Sequence, residues 1–153
     1  MRRIAQELDV WPMSLYRYFH DKQALLDALA QAAAEQIELP QARDDWAMQV
    51  GQLLSEVRRV LVNHPGGAEL RLSGPDLPAA AARVGDSGRE LLGKGGLELA
   101  EAETAWQALT DYVAGSARSP SEQFAYGLEL LLDALRLRSS SARMVERAQR
   151  GSE

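Results

Sequence analysis

The chain has 153 residues, enough for one mid-sized domain or a small module joined to a larger one. It holds 24 Ala and 23 Leu against 8 Val and 2 Ile, so residues that cost least in a helix dominate and strand formers are too scarce for a sheet-based fold. Absence of cysteine excludes disulfides and thiolate chemistry, and a net charge of −5 excludes a global field that draws in polyanions. Any nucleic acid must then be held by a local basic surface. No apolar run approaches the ~20 residues of a membrane span. The charged opening Met1–Glu7 leads into no apolar stretch, so no signal peptide is predicted. The expectation is an all-α, cytoplasmic protein with no membrane partner.

Ile4, Ala5 and Leu8 are spaced for one face of a short helix, which Asp9 interrupts; Asp tolerates a left-handed turn better than most residues. Pro12 fits the first turn of a second helix with Leu15, Tyr18 and Phe19 on its inner face. Asp21 predicts an N-cap for a third, whose stripe of Leu25, Leu26, Leu29, Ala32, Ala33 and Ile37 runs until Pro40. Residues 43–63 form the next helix, stopped by His64-Pro65-Gly66-Gly67. A short piece lies at Ala68–Leu72, and a helix follows over about Leu77–Leu92. Gly93–Gly96 is expected to be a flexible break before a helix over about Leu99–Ala117.

Ser119-Pro120-Ser121-Glu122 starts the last predicted helix, to about Arg138, with a polar tail expected to fray from Ser139. Phe124, Leu128, Leu131, Leu132 and Leu135 make one stripe on it, and Ala125, Leu130, Ala134 and Leu137 widen that stripe past a single face. A helix apolar nearly all round must be covered on both sides, and a second copy of the chain is the predicted cover.

The first twenty-two residues form a helix-turn-helix pattern. Ala5 must be small because the second helix crosses close to the first there, and Val10 and Leu15 lock the crossing angle. A recognition helix needs a polar and planar-aromatic outer face to reach base edges and phosphates. That face offers Met13, Ser14, Tyr16 and Arg17, with Arg2 and Arg3 on the helix before and Lys22 at the start of the third, where it can meet a phosphate. Tyr18 is claimed by both faces. Locally, four Lys/Arg stand against three Asp/Glu, so the net negative charge resides elsewhere.

At Arg3–Val10, Ser14–Phe19 and Asp21–Ala28 the sequence resembles the TetR family of one-component transcriptional repressors, and Phe124–Ala134 resembles the last dimerisation helix of the tetracycline-repressor-type C-terminal domain. The resemblance implies an incomplete three-helix DNA-binding domain with its connecting helix over residues 1–40, joined to an effector-binding and dimerisation domain over 41–153. It implies a homodimer on double-stranded, palindromic operator DNA, released by a small, mainly apolar effector. Arg2, Ser14 and Tyr16 fall on positions that contact bases or phosphates, Met13, Arg17 and Tyr18 beside them, and Lys22 on the phosphate-clamping lysine. Leu109, Val113, Phe124, Gly127, Leu128, Leu131 and Leu135 are the expected dimer interface. Asp9 stands where the family usually has Gly. The family also places a helix before the position of Met1 and a longer segment than Gly115–Ser121 between its last large helices, so residues are expected to be absent at both places.

Trp46, Trp106 and Tyr112 with Leu53, Val57, Leu70 and Leu72 serve either as core fillers or as the lining of an apolar effector pocket, with His64 at its edge. His64 also sits where a cationic ring would meet a helix dipole. Gly88–Gly95 lacks the hydroxyl and the preceding strand of a phosphate loop. Gly85-Asp86-Ser87-Gly88 has no scaffold for a serine nucleophile. No cluster has metal-ligand spacing. No enzyme activity, cofactor or metal is therefore expected. The competing expectation is a helical dimeric ligand-binding or interaction module without effective DNA binding.

Overall fold

A computed structural model describes the backbone of residues 2–7, 9, 11–41, 45–64, 72 and 76–150, and their side chains apart from Arg2, Ile4, Pro12, Leu15 and 142–150. Its seven helices among these residues are α1 (Arg2–Glu7), α2 (Pro12–Tyr18), α3 (Lys22–Glu35), α4 (Trp46–Asn63), α5 (Ala79–Lys94), α6 (Leu99–Gly115) and α7 (Ser121–Arg150). No strand occurs among them. The predicted piece at Ala68–Leu72 lies outside the described residues except for Leu72, as do Leu8 and Val10.

The turn between α1 and α2 is left-handed at Asp9, with φ 52°, as its residue type suggests. Ala5 is fully buried where the two short helices meet. Asp21 caps α3 by accepting from the Ala24 N–H at 2.8 Å. α3 ends at Glu35, before Pro40, and the Gln36 and Ile37 N–H groups close its last turn on the Ala33 and Ala34 carbonyls. Arg59 donates to the Gln36 carbonyl at 3.0 Å and Arg83 to that of Ile37 at 3.3 Å. The buried stripe keeps Leu25, Ala33 and Ile37 of the predicted one but is widened toward Ala30 and Ala34. Ala30, Ala33 and Ala34 are buried, their small side chains letting α3 lie close on α5, and Leu29 is left outside.

α4 runs through the centre, contacting α3, α5, α6 and α7. Its Val50, Leu53, Leu54, Val57 and Val60 join Val84 and Leu92 of α5, Trp106, Leu109 and Val113 of α6, and Phe124, Leu128 and Leu132 of α7 in one core. Arg58 ties the tight α6–α7 turn to α4: it donates to the Ser119 carbonyl at 2.6 Å and lies 4.7 Å from the centre of the Phe124 ring. The predicted break at Gly93 is displaced. α5 passes through Gly93 and Lys94, and the chain turns at Gly96, where φ is 95°.

α7 does not fray at Ser139 but continues to Arg150. The serine hydroxyls fold back on the helix, Ser139 and Ser140 donating to the Arg136 carbonyl and Ser141 to that of Leu137, so they are satisfied within helical geometry.

Asp45 opens α4. Its carboxylate accepts from the N–H groups of Ala47 and Met48 and from Arg136 of α7 at 2.7 Å. Arg136, helped by the two backbone donors against a counteracting desolvation, holds the Asp45 carboxyl below the ordinary carboxylate range. A depressed folded-state pKa contributes stability above the unfolded-state value and loses it as pH falls toward the folded one. Asp45→Ala should therefore cost about 1 kcal/mol at neutral pH, the usual worth of an N-cap. Urea melts across pH 7 to 2.5 should show that deficit shrinking as the wild-type carboxyl protonates.

Candidate nucleic-acid interface

The helix-turn-helix presents its predicted reading face to solvent. On α2, Met13 and Tyr18 are 74% and 80% exposed, and Ser14, Tyr16 and Arg17 are open as well. Residues three or four apart share a helix face, so Met13, Tyr16 and Arg17 lie together, with Ser14 and Tyr18 alongside. Arg3 of α1 and Lys22, the first residue of α3, are also exposed. Arg2 opens α1, and its side chain lies outside the described residues. Tyr18 resolves in favour of the outer face; Phe19 is half-buried and takes the inner place. The Asp21 carboxylate is occupied by the α3 cap and by His20, 3.3 Å away.

Sequence reasoning missed Trp11, 81% exposed at the entry to α2. A large aromatic immediately before the helix-starting Pro12 was the available signal.

The residues expected around an effector pocket behave otherwise. Leu53 and Trp106 have no accessible surface, which excludes a water-sized space against either; Val57 and Leu72 are nearly as enclosed. The Trp106 indole donates to the Leu72 carbonyl at 2.8 Å. Trp46 packs on Gly95, and the Tyr112 hydroxyl donates to the Phe124 carbonyl while its ring stacks on Phe124. His64 ends α4 and meets Gln36 of the α3 terminus at 3.2 Å. Leu70 lies outside the described residues. Large side chains thus fill the centre where a pocket was expected. An open groove of about 690 Å³ lies instead between α4, α7 and the connector 38–41, over Met48, Gly51, Ala125, Leu128 and Leu132.

The expected dimer interface also needs correction. Leu109, Val113, Phe124 and Leu128 are buried within the single chain and have almost no surface to offer a partner. Gly127 is pressed against the Tyr112 hydroxyl, and Leu135 is partly buried against the core. Leu131 is on the outside, and it is Tyr126, Leu130 and Leu137 that extend the exposed apolar face of α7. Periodicity showed that α7 is apolar on two sides, but which side the core takes depends on the approach of α4 and α6.

A short exposed helix, packed on a second across a tight turn and followed by a helical body, defines a helix-turn-helix protein. The chain belongs to the TetR family: residues 1–29 match the family described as bacterial regulatory proteins, tetR family, and residues 39–123 the tetracyclin repressor-like C-terminal domain. It is 30% identical over 126 residues to an HTH-type transcriptional regulator of Saccharopolyspora erythraea, a match covering 79% of this chain and 52% of that protein. The chain spans about half the length of the curated relatives it matches. Among solved structures it is similar to BioQ with its natural double-stranded DNA operator, at 29% identity and a TM-score of 0.68, over 89% of this chain and 84% of that one. A similar likeness, 28% identity and a TM-score of 0.72 over 90% and 83% of the two chains, relates it to a TetR point variant from Acinetobacter baumannii AYE in complex with minocycline.

Proposed function

We propose that this chain is a DNA-binding transcriptional repressor that acts as a homodimer on a palindromic operator and is released by a small, mainly apolar effector. The observation that carries this reading is the outward display of Met13, Ser14, Tyr16, Arg17 and Tyr18 on one short helix. The BioQ–operator structure supports it. Arg3, Arg17 and Lys22 supply the local cations that a chain of net charge −5 needs for a polyanion.

Tyr126, Leu130, Leu131 and Leu137 form the dimer face in this reading, an apolar stripe that a matching copy would cover. The groove between α4 and α7 is the candidate effector site. Its connector joins α3, which follows the reading helix, to the core, so an occupant pressing on residues 38–41 would bias the reading helix. Coupling of this kind is typically about 1–3 kcal/mol. The TetR variant with minocycline supports a small-molecule ligand for the fold. A regulatory family supports a non-enzymatic role, and no helix among the described residues is long and apolar enough to cross a membrane.

Gel shifts against the gene's upstream DNA test the proposal. Arg17→Ala should weaken operator binding by about 1–3 kcal/mol, as loss of a bidentate base contact does. Lys22→Ala should lower affinity for all duplexes and reduce the salt slope by about one. In the same assay Leu130→Glu, which places a charge on the apolar face, should run as a monomer by light scattering and lose the shift. Full retention of the shift by all three variants would sink the reading.

A further inference from the structure

Two large apolar side chains stand in the open at the start of α2, Trp11 just before it and Met13 in its first turn. The Trp11 carbonyl accepts from the Ser14 N–H at 2.8 Å and so begins the helix; its indole is 81% exposed and Met13 is 74% exposed. In helix-turn-helix docking the opening residues of the second helix contact base edges, so the chemistry of this turn decides which base is read. Met13 offers a thioether, a weak acceptor without a donor, and Trp11 a single N–H. Neither can make the bidentate contact by which Arg reads guanine or Asn reads adenine. The major-groove feature that suits an apolar side chain is the C5 methyl of thymine. Arg17, four residues on and on the same face as Met13, supplies a guanidinium one turn further along.

We infer that Met13, with Trp11 beside it, reads thymine methyl groups, so that each operator half-site places thymines under the first turn of α2, next to the position met by Arg17. The inference rests on the DNA-binding reading above and adds to it the base chemistry of the half-site.

The test begins with selection of bound duplexes from a random library by the full chain. Anisotropy titrations follow, with each thymine of the selected site replaced in turn by deoxyuridine, which removes the methyl alone. Wild type should lose about fourfold in affinity per methyl that it buries. Met13→Ala, an exposed change whose helicity is checked by circular dichroism, should bind the thymine and deoxyuridine duplexes equally at that position. Wild type that binds both alike at every position would overturn the thymine assignment while leaving DNA binding intact. Undiminished methyl discrimination in both Met13→Ala and Trp11→Ala would do the same. Failure to select any duplex would overturn the DNA-binding reading and this inference with it.

Discussion

Trp106→Ala should remove about 3–5 kcal/mol of stability, a large share of what holds a domain of this size. The indole has no accessible surface and sits where α4, α5 and α6 converge. Its loss removes the transfer free energy of a large aromatic and leaves a void that packed helices collapse only in part. A polar term adds to this, because the indole N–H donates to the Leu72 carbonyl at 2.8 Å. Trp106→Phe separates the two: it keeps most of the volume but leaves that carbonyl unpaired, at about 1–3 kcal/mol. Urea unfolding followed by far-ultraviolet circular dichroism should rank the three proteins wild type, Trp106→Phe, Trp106→Ala. Equal midpoints for wild type and Trp106→Ala would mean that the indole does not anchor the core.

Two glycines on α5 should respond to the same substitution with opposite signs. At Gly88 a Cβ would clash with the Cζ3, Cε3 and Cη2 atoms of Trp106, whose fully buried ring has nowhere to retreat. Helix propensity favours Ala over Gly by about 1 kcal/mol, while overpacking costs typically 1–3 kcal/mol and occasionally more. Overlap with a pinned ring belongs at the upper end of that range, so Gly88→Ala should destabilise by about 2 kcal/mol net. At Gly93 nothing lies within 4 Å of an added Cβ. The propensity gain is then unopposed, and Gly93→Ala should stabilise by up to about 1 kcal/mol. Thermal midpoints moving in opposite directions would bear this out; a shared direction would not. Gly88 also accounts for the close α5–α6 approach, because it admits the Trp106 ring against the helix backbone.

The helices were legible from local chemistry, since caps and periodicity act within a few residues. Asp21 caps α3 as its position foretold, and Asp9 takes the left-handed turn. The exposure of Met13, Ser14, Tyr16 and Arg17 on α2 was legible for the same reason, because spacing along a short helix is a local property. Trp11 escaped because it precedes the helix-starting Pro12 and so lies outside the periodicity that places the faces of α2. The length of α7 escaped because the polar tail was expected to fray, whereas the hydroxyls of Ser139, Ser140 and Ser141 each return to their own helix.

By itself the sequence determined an all-helical, cysteine-free chain with a helix-turn-helix at its start and one helix too apolar for a single face. Its acidity, which at first counted against nucleic acid, is a property of the chain as a whole that leaves the exposed Arg3, Arg17 and Lys22 free to act locally. Only the tertiary structure decided which apolar residues become interior. Trp106, Leu53, Leu109 and Val113 were candidates for a pocket or a partner surface and became core, whereas Leu130, Leu137 and Leu29 remained outside. Hydrophobicity is not directional. Composition states how much apolar surface must be covered, and only the arrangement of the helices states which part of it this chain covers alone.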